Sequence, residues 1–120
     1  MKNARVVEEL VVLGTYDWLA FEDVVGMVQK YSNASDSKLR ARVLDVVQEL
    51  VENGLAKPGD VDTEFVPWEI SLDEVLTRID EEWLPDMPLN PGSVCWLCTT
   101  AEADLMAESV TAKRDSERDA

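Results

Sequence analysis

Apolar positions set out the plan of this 120-residue chain. Val6, Val7, Leu10, Val11 and Leu13 recur three and four residues apart, the spacing that gathers side chains on one face of a helix. Gly14 follows as a C′ residue, so the pattern predicts a first helix near residues 3–13. "TYDWLAF" reads as a short extended piece. Phe21, Val24, Val25, Val28 and Tyr31 form a second helical stripe, closed by the turn-forming "YSNASDS". The third stripe is the clearest: Leu39, Val43, Val46, Val47 and Leu50, with "ENG" ending the helix at Gly54.

The second half is more interrupted. "LAKPGDV" reads as a strand entering a turn at Pro58-Gly59, and residues 62–70 as irregular chain in which Phe65 and Trp68 serve packing. Ser71 and Glu74 have capping-box spacing ahead of a helix whose inner face carries Leu72, Val75, Leu76, Ile79 and Trp83. Pro85 ends that helix, and the proline-rich "PDMPLNPG" is a connector. "SVCWLC" reads as a strand. Thr99 and Glu102 repeat the capping-box spacing and open a last helix through Leu105 and Val110. "TAKRDSERDA" is charged and apolar-poor, which predicts a disordered tail over residues 111–120.

Composition narrows the function classes. The length implies one domain, taken as residues 1–110, and 46% hydrophobic content supplies a core that needs no disulfides. No apolar run approaches the ~20 residues of a membrane span. Glu8 and Glu9 interrupt the N-terminal apolar stretch, which does not read as a signal peptide. Two cysteines without an export signal point to a reducing cytoplasm. Histidine is absent, which removes the commonest general base and metal ligand and every His-activated nucleophile. The net charge is −14: residues 1–60 hold 7 basic and 10 acidic residues, residues 61–120 hold 4 and 15. Such a field repels nucleic acid and lipid headgroups and attracts basic proteins.

Cys95 and Cys98 have C-x-x-C spacing, which raises redox or metal chemistry. A redox pair needs its first thiol at a helix N-terminus. Here the helix signal begins only at Thr99, which leaves Cys95 in a strand. On a strand, residues three apart face opposite ways: Val94, Trp96 and Cys98 share one face, Cys95, Leu97 and Thr99 the other. The thiols then cannot bridge or grip one metal, and both read as small core residues.

Three helices with a short extended piece after the first, then "VQELVENGLAKPGDV" running helix into strand and "VCWLCTTAEADLMA" returning, resemble a winged helix. The chain also resembles small uncharacterised actinobacterial proteins of that fold that insert an aromatic-Pro-Trp segment and a helix between the wing strands. The resemblance implies an α+β, mostly α architecture: a winged-helix-like three-helix core, a small β-wing, an inserted helix within residues 62–93, and a C-terminal helix. The departure from the family is that insertion, where a DNA-contacting wing is a short hairpin.

A winged helix presents its third helix to DNA. Lys38, Arg40 and Arg42 cluster at its start. Helical geometry places Arg40 at the edge of the apolar stripe, its stem packed. The exposed face carries Lys38 and Arg42 against Asp45, Glu49 and Glu52, with Arg42 spaced to pair with Asp45. That face offers little phosphate neutralisation. Lys38 and Arg42 are the DNA-contact residues of the runner-up reading, a winged-helix transcriptional regulator.

"RIDEEW" clusters Asp80, Glu81 and Glu82, which could hold a divalent cation or divide acid and base roles. Arg78 is spaced to pair with Glu74 and Glu82, and no phosphate loop, dinucleotide fingerprint or nucleophile accompanies the carboxylates. The sequence therefore reads as a cytoplasmic, non-enzymatic, acidic protein-interaction factor, a monomer or homodimer without metal or cofactor. Asp73, Glu74, Asp80 and Glu81 are its expected contacts with a basic protein partner. Its most concrete form is an immunity- or antitoxin-like inhibitor.

Overall fold

The three apolar stripes become three packed helices. In the computed structural model, which describes residues 2–118, these are α1 (Ala4–Leu13), α2 (Phe21–Tyr31) and α3 (Asp36–Glu52). Their inner faces are fully buried: Val7, Leu10 and Val11 from α1, Phe21, Val24 and Val28 from α2, Val43, Val46, Val47 and Leu50 from α3. Burying a side chain of this kind stabilises by roughly 1.5–3 kcal/mol, so the stripes account for the association of the helices. α3 ends as predicted. Gly54 takes φ +69°, its N–H reaches Val51 O at 3.1 Å, and Leu55 N–H reaches Leu50 O at 2.8 Å, a complete Schellman closure.

Gly14 behaves differently. Its φ is −64°, so it is not a left-handed C′ residue. It is small because Thr99 lies against it: an added Cβ would overlap Thr99 Cγ2 and lie 3.0 Å from Thr99 Oγ1. The threonine hydroxyl also donates to the Gly14 carbonyl at 3.1 Å.

The strands are β1 (Leu19–Ala20), β2 (Ala56–Val61), β3 (Phe65–Pro67) and β4 (Trp96–Thr99). They form one antiparallel sheet in the order β1-β4-β2-β3. Leu19, Leu97 and Ala56 face the helices and are buried. β4 is thus the central link between the first helical unit and the strand leaving α3.

Two local expectations are overturned here. Pro58-Gly59 is not a turn; β2 runs straight through it. Pro58 is tolerated there because β3 stops pairing at Pro67, so no ladder donor is called for on that side, and its carbonyl accepts from Trp68 N–H at 2.9 Å. Gly59 lets β3 close in, since a Cβ there would overlap the Val66 carbonyl and lie 2.7 Å from Phe65 Cζ. The turn comes at Asp62–Glu64 instead, and residues 65–67, expected to be irregular, are the returning strand.

α4 (Leu72–Glu82) follows, then the proline-rich connector, then α5 (Ala101–Arg118). Thr100, not Thr99, caps α5: its Oγ1 accepts from Ala103 N–H at 3.3 Å and donates to Gly54 O at 2.6 Å. Thr99 is engaged with Gly14. The segment expected to be a disordered tail is helical through Arg118; residues 119–120 of it lie outside the described residues. Ala103 and Ala107 bury against α1, and Arg114 pairs with Glu9 across the seam, which extends the helix past its apolar stretch. Among the described residues the fold has five helices and one four-stranded antiparallel sheet, mixed α and β with helix predominating. No helix among them is long and apolar enough to cross a membrane.

Candidate protein-interaction surface

α4 is positioned by its cap and its inner face. Ser71 Oγ accepts from Glu74 N–H at 3.2 Å and donates to Glu74 Oε1 at 3.0 Å. Asp73 and Glu74 occupy the first turn, where the helix dipole favours carboxylates. Val75, Ile79 and Trp83 bury, which leaves Asp73, Thr77 and Glu81 exposed. Ile70, Asp73, Glu74, Thr77, Arg78 and Glu81 line a shallow hollow of about 420 Å³.

Three of the four expected acidic contacts, Asp73, Glu74 and Glu81, therefore come together. Asp80 does not join them. Its carboxylate sits 3.0 Å from Arg40 Nη1 on α3. Arg40 also lies over the Trp83 ring at 4.3 Å and donates to the Trp83 carbonyl, so its side chain ties α4 to α3. Arg78 does not pair with Glu74, whose carboxylate accepts from Ser71. It meets Glu82 at 3.4 Å and Asp60 at 3.6 Å and stacks on the Trp68 ring at 3.8 Å. Trp68 Nε1–H in turn donates to Asp60 at 2.9 Å. The cation of the hollow is thus already occupied.

A larger cleft of about 960 Å³ adjoins the hollow and shares Ile70 with it. Trp68, Ile70, Val75, Lys57, Cys98 and Glu102 are among its walls. It exists because β3 leaves β2 after Pro67, so the Ala56–Lys57 end of β2 has no strand beside it on that flank. Half-buried apolar walls with a polar rim are the usual form of an anchor pocket.

Both cysteines are free thiols, but only Cys98 lies in β4; Cys95, expected in the same strand, immediately precedes it. Cys95 is buried toward the core, and burial, with Glu82 and Asp60 adding and Arg78 opposing, pushes its pKa up to about 12. Cys98 is half-buried and opens into the cleft. Val94 was expected to share the Trp96–Cys98 face, but its φ of +68° sets it outside the strand. Among the described residues no cluster of three or more carboxylates or cysteines could hold a metal.

On α3, Lys38 is exposed, but Arg42 is engaged: its Nη1–H donates to Asn3 Oδ1 at 3.0 Å. Asn3 is 5% exposed and donates from both its backbone N–H and its Nδ2 to Glu49 at 3.2 Å. Asp45 pairs with Lys2 at 3.4 Å, so the expected Arg42–Asp45 pair does not form. Asn3 went unnoticed in the sequence; its only signal is a polar residue immediately before the first apolar stripe. Also unnoticed was the outer face of the sheet, where Trp18 and Phe65 rings lie 6.3 Å apart. The alternation of Tyr16 and Trp18 in "TYDWLAF" is its sequence trace. Compared with protein-family models, curated proteins and solved structures, the chain matches none.

Proposed function

We propose that this chain is a non-enzymatic, cytoplasmic interaction factor whose α4 face and adjoining cleft cover a basic surface on a partner protein. One observation carries this reading. Asp73, Glu74 and Glu81 share an exposed hollow whose one cation is already paired, and that hollow opens through Ile70 into a partly apolar cleft. Opposite potentials speed encounter, and an apolar pocket beside them gives a partner's anchor side chain a dry place to sit. The net charge of −14 adds to the attraction. In its most concrete form the protein is an immunity- or antitoxin-like inhibitor. The strand order β1-β4-β2 beside three helices supports the winged-helix reading of the scaffold, with residues 62–93 inserted between the wing strands.

The test is retention of proteins from a nuclease-treated lysate by the wild type and by Asp73→Lys/Glu81→Lys. A basic protein should bind the wild type, leave at high salt, and bind the double variant about tenfold more weakly. Retention indifferent to both salt and charge reversal overturns the reading. In a parallel lysate left without nuclease, retention of DNA that is lost on Lys38→Ala would put the regulator reading in its place.

A further inference from the structure

We infer that the partner contributes an extended basic segment, lying along one continuous band that runs from the α4 hollow to the seam between α1 and α5. The inference rests on the protein-interaction reading above and states what kind of partner that surface takes.

Four depressions follow one another, each sharing wall residues with the next. The α4 hollow meets the 960 Å³ cleft at Ile70. That cleft meets a depression of about 290 Å³ at Cys98 and Thr99. The depression meets a groove of about 390 Å³ between the end of α1 and α5 at Thr15 and Tyr16. The depressions are thus strung from α4, past the β2–β4 pair, to α5, neighbours sharing one or two wall residues. Such a path suits an extended strand of protein, with a side chain settling in each hollow in turn.

Exposure and charge select the occupant. Tyr16 is 83% exposed, Ile70 38% and Trp18 37%, so the band holds three of the protein's exposed large apolar side chains. Glu69, Glu102, Asp104 and Glu108 border it, and none of them has a cation within salt-bridge distance among the described residues. Lys57 is the one lysine on its walls. Carboxylates interleaved with aromatic faces receive guanidinium and ammonium groups, by ion pairing and by stacking. A second copy of this chain would bring −14 against −14, and nucleic acid carries the same sign, so neither complements the band.

The molecule is 46 Å along its longest axis, and an extended chain of twelve residues spans about 40 Å. The probe is therefore a twelve-residue peptide of Arg-Leu-Arg-Ser repeats, titrated into isotopically labelled protein and followed by amide chemical shifts. A Glu-for-Arg peptide is the control. Shifts should appear together at Ile70, Cys98, Tyr16 and Glu108, and Tyr16→Ala/Asp104→Lys should weaken binding about fivefold. Asp36→Lys/Asp62→Lys, with a larger charge change placed off the band, should weaken it less. Shifts confined to Ile70 and α4 overturn the band and leave the α4 reading standing. Equal shifts around Asp36 overturn both, since the attraction is then charge alone. Absence of peptide binding, with a folded basic partner still captured from lysate, overturns the extended segment only.

Discussion

The helical core and the inserted segment between β2 and β4 are held in different ways. In the core, α1, α2 and α3 meet mainly through buried aliphatic side chains around the Phe21 ring, and Asn3 is the one buried polar residue among those described. The insertion has three buried anchors, Val75, Ile79 and Trp83. It also pairs β3 with β2, packs Leu76, Met87 and Leu89 against the core, and uses arginine on aromatic: Arg40 over Trp83 ties it to α3, and Arg78 over Trp68 braces it internally while reaching Asp60 on β2. Phe21 joins the two regions, its ring edge-on to Trp83 with centroids 5.1 Å apart. A core built of aliphatics depends on shape and water exclusion. A segment tied down by cations over rings depends on a few named side chains, and those same side chains remove charges from the surface that a partner would otherwise meet.

Four outcomes test this contrast, beginning with the largest. Leu50→Ala should cost about 2–5 kcal/mol and lower the urea midpoint of the whole domain, because Leu50 is fully buried in α3. If far- and near-ultraviolet signals then melt separately, the core and insertion are not one cooperative unit. Gly59→Ala should cost about 1–3 kcal/mol, since its Cβ would overlap the Val66 carbonyl. The loss should appear first as hydrogen exchange in β3, with α1–α3 amides still protected.

The third concerns pH. Cys95 keeps its proton in the folded state up to about pH 12, whereas the unfolded thiol loses it near 9.0. Between those values the unfolded state binds fewer protons, so stability falls as pH rises, at up to about 1.4 kcal/mol per pH unit. The difference in urea midpoint between pH 8 and pH 10.5 should shrink in Cys95→Ala; an unchanged difference would mean that the thiol is not held in the core. The smallest effect is Arg40→Lys, at about 1 kcal/mol or less. It keeps the charge and loses the planar stack, so Trp83 fluorescence should shift while the α1–α3 core stays intact. An equal effect on core exchange would erase the contrast.

The legibility of the chain follows the same division. Helical stripes are local: Val43, Val46, Val47 and Leu50 declare a buried face through spacing alone, and Gly54 declares its end because left-handed backbone favours glycine. Pro58-Gly59 has the composition of a turn, and only β3 lying beside it shows why both residues sit in a strand. Gly14 looked like a cap for the same reason, and its smallness belongs to Thr99, which is 85 positions away. Of the candidate contacts, Asp73, Glu74 and Glu81 could be placed on the outer face of α4 by counting. Asp80 could not, because Arg40 is on another helix. The Asn3–Arg42–Glu49 cluster joins residues 46 positions apart and leaves no local pattern.

The sequence by itself determined the first three helices with the faces they bury, the capped start of α4 and the acidic bias of the second half. Each of these depends on spacing within a few residues or on a sum over the chain. Tertiary structure alone decided which charges remain free, where the sheet leaves an open edge and which side chains line the same hollow. Those depend on distances between segments far apart in sequence, and an ion pair or a cleft forms only once the helices have chosen their neighbours.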